Sequence, residues 1–233
     1  MSSKKLLFKK GNDGWKMITV TFDGSVPKLY INSDEITLAS SNYVGTYVKL
    51  KYNTYYMRFG HQTYGGLIDE ISFHKNRQLA KADIDLIYKN GFGNVYANWT
   101  SDLKTDLECY YDFSQSGDLV NGRTDGVQYY GTTNVSSKWG DACNFTNPSI
   151  SGIYYAYTLM LPTNTTNDLP FTYNIWIKPT SIGNTIMRMY GTAGETSILY
   201  LMTLNPTSLA ITFYSQGNAS IYKQFIYNFP TLL

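Results

Sequence analysis

Short segments with alternating apolar and polar residues occur along most of this chain. Residues 15–22 (WKMITVTF) alternate with a period of two and end at the turn pair Asp23-Gly24. Residues 171–178 (FTYNIWIK) alternate in the same way and stop at Pro179. Such segments are typical of β-strands that bury one face. The same reasoning predicts further strands at residues 28–31, 55–60, 66–73, 107–113, 139–145, 185–190, 198–202 and 208–213.

One segment has a helical period instead. Leu79, Ile84, Ile87 and Tyr88 fall near one face of a helix, and Gly91 is a suitable C-terminal stop. Residues 94–105 are polar without a clear period, so we interpret them as a connection. Many short strands separated by turn signals predict an all-β sandwich or barrel, with one short helix near residues 80–90.

The composition argues against several classes of protein. Of the 233 residues, 43% are hydrophobic and 15% are charged, which excludes intrinsic disorder and a coiled coil, because both need more charge. The net charge of +2 argues against nucleic acid as a partner. No apolar run approaches the roughly 18 residues of a membrane span. Residues 1–10 lack the long apolar core of a signal peptide, so none is expected.

Two segments of the first half resemble the C-terminal half of the LamG-like, concanavalin A-like jelly-roll domains. They are GWKMITVTFDGSVPKLYINSDE (14–35) and MRFGHQTYGGLIDEISFHKNRQLAKADIDLIYKNG (57–91). The chain departs from the family at Ser33, where a glycine is usual, and at His74, where a tyrosine is usual. The resemblance implies a two-sheet antiparallel jelly-roll sandwich.

Segments of the second half resemble the N-terminal half of the same family. They are 107–118 (LECYYDFSQSGD), 121–126 (NGRTDG), 138–145 (KWGDACNF) and 169–179 (LPFTYNIWIKP). We therefore interpret 1–233 as a single jelly-roll domain in permuted order, with 1–93 as one half, 94–105 as the connection and 106–233 as the other half.

The reversed order leaves three arrangements open. The chain is a circular permutant, or its halves complete neighbouring subunits, or it is a slice of a longer protein with two incomplete domains. Permutation is tolerated at exposed loops, whereas exchange between subunits produces rings or filaments. In the permutant, the stretch ending at Leu233 and the stretch beginning near Trp15 are expected to be neighbours in one β layer.

The residues with catalytic potential favour a protein that is not an enzyme. Glycosidases need two carboxylates that face the scissile bond. Asp69 and Glu70 are adjacent on a strand and point to opposite faces, while Glu108 and Asp112 share a face at i, i+4 and are weak evidence. No nucleophile elbow, P-loop or dinucleotide fingerprint occurs.

Cys109 and Cys143 fall in apolar strands, where buried free thiols are the usual state, although one bridge between them is the alternative. The chain has two histidines, His61 and His74, so a histidine-rich metal site is not expected.

A structural calcium ion is the predicted cofactor, since hard cations bind carboxylate and carbonyl oxygens in loops. The resemblance implies that Asp69 binds the ion, with Asp112 and Asp118 nearby if the chain is a permutant. The loop that contains Asn121 and Asp125 is a second candidate. The alternative is that Asp69 caps a turn or pairs with a lysine.

The 22 tyrosines predict a contact surface, because tyrosine suits both sugars and protein partners. The candidate ligand-binding residues lie in or beside the loops from 40 to 65 and are Tyr43, Tyr47, Tyr52, Tyr55 and Tyr64. For each of them taken singly, packing on the sheet is the alternative.

Together these observations predict a non-catalytic structural or interaction module. We expect a surface, tail or decoration component of a virion or a similar assembly, located on the virion or an extracellular surface. Its expected partners are other protein subunits and glycans, without nucleic acid and without a membrane span. The alternative is a free carbohydrate-binding lectin that uses calcium.

Overall fold

The structure of this protein is a computed structural model, and the ranges that follow are the residues it describes. They are 14–45, 55–60, 64–114, 118–120, 127–130, 132–145, 152–157, 170–180, 184–191, 198–205, 207–215 and 218–229.

The described residues form sixteen strands and two α-helices. The strands of the first half are β1 (Lys16–Phe22), β2 (Pro27–Ile31), β3 (Asp34–Ile36), β4 (Ser40–Val44), β5 (Tyr55–Phe59) and β6 (Gly66–Lys75). The helices are α1 (Lys81–Tyr88) and α2 (Ser101–Lys104). The remaining strands are β7 (Leu107–Tyr111), β8 (Val127–Tyr130), β9 (Thr132–Ser136), β10 (Asp141–Phe145), β11 (Gly152–Tyr157), β12 (Phe171–Pro179), β13 (Asn184–Gly191), β14 (Ile198–Leu204), β15 (Ser208–Ser215) and β16 (Asn218–Asn228).

The strands make two antiparallel sheets of eight strands each. The first, which we call sheet A, has the order β3-β2-β1-β12-β6-β10-β9, with β7 also paired to β6. The second, sheet B, has the order β4-β16-β15-β14-β13-β5-β11-β8. The predicted all-β, two-sheet antiparallel sandwich with one short helix near residues 80–90 is therefore confirmed.

The main core lies between the two sheets. Ile18, Val20 and Phe22 of β1 point into it at every second position, as the alternation predicted. The Phe22 ring stacks on Phe213 of β15 at 4.9 Å between centroids, which joins sheet A to sheet B. Cys109 and Cys143 are both buried in this core as free thiols, which was the expected state.

Strands from both halves of the chain, residues 1–93 and 106–233, pair with each other in both sheets. In sheet A, β12 lies between β1 and β6, and in sheet B, β5 lies between β13 and β11. The expected join between the ends is different from the observed one, because β16 belongs to sheet B and β1 to sheet A. Across the core, β16 instead contacts β2, the neighbour of β1, where the Tyr227 hydroxyl donates to the Pro27 carbonyl. The reason is that β4 of the first half takes the place beside β16.

The outer face of sheet A is also covered. A second cluster of buried residues on this face includes Met17 of β1, Trp176 of β12, and Ile84 and Ile87 of α1. The loop before α1 is fastened to the sheet by Thr172, whose hydroxyl accepts from the Leu79 N–H at 2.8 Å. The polar residues buried in the three central strands of this sheet are Thr19, Thr21, Asp69, Glu70, Ser72, His74, Thr172 and Asn174.

Residues 94–105 are more than a connection. They contain a 3₁₀ turn at Tyr96–Asn98 and helix α2, with Trp99 and Leu103 buried against the outer face of sheet A. His74 of β6 accounts for this packing, since its ring stacks on Trp99 at 5.8 Å and its Nε2 hydrogen-bonds the Leu103 carbonyl at 2.8 Å. The polar composition of the segment concealed these two apolar anchors.

Candidate functional site: an aromatic patch on the outer face

Aromatic side chains from four separate segments meet at one place on the outer face of sheet A. We call this surface the aromatic patch and define it by Trp15, Tyr88, Phe92, Lys138 and Trp139. Trp176, which is 2% exposed, lies beneath it. The Trp139 ring lies 4.4 Å from Trp176 and 5.4 Å from Trp15, and Tyr88 stacks on Trp176 at 5.8 Å, all between centroids.

The patch is open to solvent. Phe92 is 72% exposed, although it is a large apolar residue. Trp15, Tyr88 and Trp139 are half-buried, whereas Lys138 is exposed. The sandwich thus leaves aromatic ring surface uncovered beside a buried tryptophan.

Lys138 and Trp139 lie in the tight turn between β9 and β10. The Ser137 N–H donates to the Gly140 carbonyl at 2.7 Å, which closes the turn. The Ser137 hydroxyl accepts from the Trp139 N–H at 3.1 Å and donates to Asp69 Oδ2 at 2.6 Å. Asp69, which lies on β6, therefore holds this turn in place. The turn then determines the position of the Trp139 ring.

The segment after α1 holds the other side of Trp139. The Trp139 indole N–H donates to the Phe92 carbonyl at 2.5 Å. Gly93 has a φ of +68°, and a Cβ placed there would lie 2.4 Å from Trp139 Nε1. Only glycine permits both this backbone conformation and this close approach.

Lys138 is the cation of the patch. Its ammonium lies 5.0 Å from the centroid of Trp139 and 5.8 Å from the centroids of Phe92 and Trp176, and it also donates to the Gly91 carbonyl. Desolvation lowers the pKa of Lys138. Among the described residues, the ion pairs do not include Lys138.

Beneath the patch, β6 changes its neighbour. It pairs with β10 over Gly66, Leu67 and Ile68 and with β7 from Ile71 onward. A β-bulge relative to β12 falls at this change, and Glu70 there has a φ of +48°. The bulge interrupts the regular alternation at Asp69 and Glu70, since Ile68 and Ile71 on either side of them both lie in the core between the sheets.

Burial raises the pKa of both carboxyl groups at this bulge. The pKa of Asp69 rises to about 7, although the hydrogen bonds from Ser137 and from the Glu70 N–H act in the opposite direction. The pKa of Glu70 rises to about 9, because the charges of Asp69 and Asp112 add to the effect of burial. Both groups are buried, at 0% and 5% exposure, so a substrate has no access to them.

The structure places the predicted calcium ligands in different roles. Asp69 Oδ1 accepts from the Glu70 N–H at 2.8 Å and its Oδ2 accepts from Ser137. Asp118 Oδ1 accepts from the N–H groups of Tyr110 and Val120, each at 2.9 Å. Asp112 Oδ1 accepts from the Ser114 N–H at 3.1 Å. These carboxylates serve turns and backbone groups, as in the alternative that we gave for Asp69.

The described carboxylates are not grouped as the side-chain ligands of a metal ion would be. Across the ranges that the structure describes, no group of three or more His, Cys, Asp or Glu side chains is arranged to hold a metal. Asn121 and Asp125 lie outside the described residues. The calcium ion therefore stays a prediction. Glu108, the weak catalytic candidate, lies 3.9 Å from Lys75 in an ion pair.

The predicted tyrosine surface is only partly described. Tyr43, on the edge strand β4, is 55% exposed, as a contact residue should be. Tyr64 is 0% exposed and donates to the Leu67 carbonyl at 2.9 Å, so it packs in the core instead of lining a contact surface. Tyr47 and Tyr52 lie outside the described residues, and for Tyr55 only the position in β5 is described.

The sequence reasoning missed the aromatic patch. The available signal was tryptophan: the chain has only four, and Trp15, Trp139 and Trp176 meet here. Each of them had been assigned to a strand or to a turn beside one, and nothing in the local pattern shows that three distant segments converge.

Three comparisons with known proteins found no match to this chain, whether with protein-family models, with curated proteins or with solved structures. The sandwich is therefore shown by its own strand pairing, and the LamG-like identification stays a prediction. Among the described helices, none is long and apolar enough to cross a membrane.

Proposed function

We propose that this protein is a non-catalytic interaction module that contacts glycans through the aromatic patch. It serves as a surface, tail or decoration component of a virion or a similar assembly. The observation that carries the proposal is the 72% exposure of Phe92 beside two half-buried tryptophans. Exposed aromatic surface of this kind is unfavourable in water and is enriched where proteins meet a partner.

Two further observations support a binding role over a catalytic one. The carboxyl groups with raised pKa values, Asp69 and Glu70, are buried, and Asp69 is engaged in positioning a turn. The patch itself offers rings and one ammonium group, without a nucleophile beside a base. Such a surface can bind a ring-shaped ligand, and among the described residues its ammonium group is not paired with a carboxylate.

An edge strand supports association with other subunits. All five residues of β4 (SSNYV) are exposed, and none is charged or proline. Exposed, uncharged edge strands readily pair with another chain. In contrast, β3, the edge of sheet A, has three residues and includes Asp34 and Glu35, both of which discourage pairing.

Native mass spectrometry and a glycan array test the two parts of the proposal. We expect a multimer and binding to at least one class of immobilised glycan. Phe92→Ala should abolish glycan binding without changing the thermal midpoint. Leu86→Ala is the matched control, because Leu86 is 53% exposed on α1 but is not part of the patch.

The same experiments separate the alternative function. A monomer that binds glycans through Phe92 would be a free lectin, which is favoured by the patch alone. A protein that binds no glycan, or that binds glycans equally well after Phe92→Ala, would contradict the role of the patch.

A further inference from the structure

We propose that the ligand of the aromatic patch is a carboxylated sugar, whose acid group pairs with Lys138 while its ring lies against the exposed aromatic side chains. This inference depends on the proposed function, because it assumes that the patch is the glycan-contacting surface. It adds the charge of the ligand and the residue that selects it.

Lys138 brings a positive charge to the patch. An ammonium group held over three aromatic rings is attracted by their π faces, but these rings carry no net charge. The Gly91 carbonyl accepts a hydrogen bond from one of the three N–H groups of the Lys138 ammonium. The described ion pairs leave this cation without a carboxylate, so an anionic ligand would supply the complementary charge.

The ring surface of the patch is held in a fixed orientation. Trp139 is held by its indole N–H on Phe92, by its backbone N–H on Ser137 and by the close approach of Gly93. Its ring is therefore oriented before a ligand arrives, which lowers the entropy cost of binding. The exposed Phe92 ring and the half-buried Trp15 lie beside it and extend the surface.

The patch suits a sugar better than an acidic peptide. An extended peptide gains affinity mainly through main-chain hydrogen bonds to a partner backbone. At the patch, the carbonyls of Gly91 and Phe92 already accept from Lys138 and Trp139. A pyranose ring needs no such backbone partner, since it presents C–H groups to aromatic faces and a carboxylate at its rim.

The position of Lys138 indicates where the acid group binds. Its ammonium lies 5.0 Å from the centroid of Trp139 and 5.8 Å from the centroid of Phe92. A ligand carboxylate is therefore expected beside Lys138 and Trp139.

The test compares matched acidic and neutral oligosaccharides on the full chain. The two pairs are 3′-sialyllactose with lactose, and tetragalacturonate with its carboxyl-reduced neutral form. Isothermal titration calorimetry at low salt should show at least about tenfold tighter binding of an acidic member, typical of a charge-assisted hydrogen bond. Raising the salt concentration should weaken the acidic ligand only.

Lys138→Met should remove this preference, so that the acidic and neutral members of a pair bind with similar affinity, whereas Lys138→Arg should retain the preference. The control is Lys104→Met, since Lys104 lies 4.3 Å above the Tyr96 ring, outside the patch. Unchanged thermal midpoints of these variants establish that they fold.

Each result has a distinct meaning. Equal binding of acidic and neutral sugars, lost in Phe92→Ala, would overturn the carboxylate inference and keep the proposed function. Binding of neither member of either pair, with no array signal, would overturn both. An acid preference that survives Lys138→Met would also overturn the assignment of Lys138.

Discussion

The two faces of sheet A are built by different rules. The inner face is apolar and meets sheet B, as Ile18, Val20 and Phe22 show on β1. On the same strand, Thr19 and Thr21 are equally buried on the outer face, where Thr19 Oγ1 donates to Asn174 Oδ1 at 2.8 Å. The outer face carries such hydrogen-bonded polar groups together with aromatic residues, some of which form the exposed aromatic patch.

This difference would allow the sandwich to carry the proposed binding surface without weakening its core. The inner face is stabilised by removing apolar area from water, which does not depend on direction. The outer face depends on specific hydrogen bonds, such as the contact of Ser137 with Asp69. Specific contacts orient side chains, and an oriented ring is what a ligand needs.

Adjacent residues of β1 provide the largest expected contrast. Phe22→Ala removes a ring that contacts Phe171 and Phe213, and should lower the free energy of unfolding by about 3–5 kcal/mol. Thr21→Ala removes a hydroxyl that accepts from Gln78 at 3.4 Å and should cost about 1 kcal/mol. Urea unfolding measures both, and equal losses would contradict the contrast between the two faces.

Gly93 and Gly91 separate backbone strain from ring displacement. Both have positive φ, of +68° and +85°, so alanine at either position should cost about 1–3 kcal/mol. Only Gly93→Ala pushes a Cβ against Trp139, because the nearest atom to a Cβ at Gly91 is the Tyr88 hydroxyl at 3.4 Å. Tryptophan fluorescence and glycan binding should change in Gly93→Ala and stay unchanged in Gly91→Ala.

Asp69 should make the outer face sensitive to pH. Its folded pKa of about 7 lies above the unfolded value of 3.8, so the folded state holds the proton more tightly. The resulting stabilisation is present below pH 4 and is lost as the pH rises through 7. Relative to the wild type, Asp69→Asn should therefore gain stability as the pH rises from 4 to 8, and urea unfolding at each pH measures this gain.

The comparison with wild type at each pH is needed because His74 acts in the opposite direction. Burial lowers the pKa of His74 to about 4, so its contribution is lost as the pH falls. Asp23→Asn is the control, since hydrogen bonds from Ser25 lower the pKa of this exposed aspartate. Its variant should lose stability relative to wild type as the pH rises through the folded pKa of Asp23, and a gain would contradict the argument.

The smallest expected effect lies on the surface of α1. Lys81 and Asp85 form an i,i+4 ion pair, with each side chain 49% exposed. Lys81→Ala should cost at most about 0.5 kcal/mol, because water screens exposed pairs. Urea unfolding at low and high salt checks this, and a loss above about 1 kcal/mol would show that the helix cover is more tightly coupled to the sheet than we infer.

Much of the fold was predictable from local patterns, and the misses have a physical cause. Helix α1 and the strands β1, β6 and β12 follow from apolar periodicity. The edge strands β3, β4 and β9 were missed because they are short or polar, and their pairing comes from the neighbouring strand. The predicted contact residue Tyr64 proved to be buried, since a loop-like sequence does not reveal what packs over it.

The sequence by itself determined that this chain forms a β-sandwich, because the period of two decides which residues can face a common core. It also determined the position of α1, through its apolar face and the glycine that follows. The tertiary structure alone decided that Trp15, Phe92 and Trp139 form one surface and that Asp69 supports it from below. These groups are distant along the chain, so no local pattern encodes their meeting; it results from the order in which strands pair.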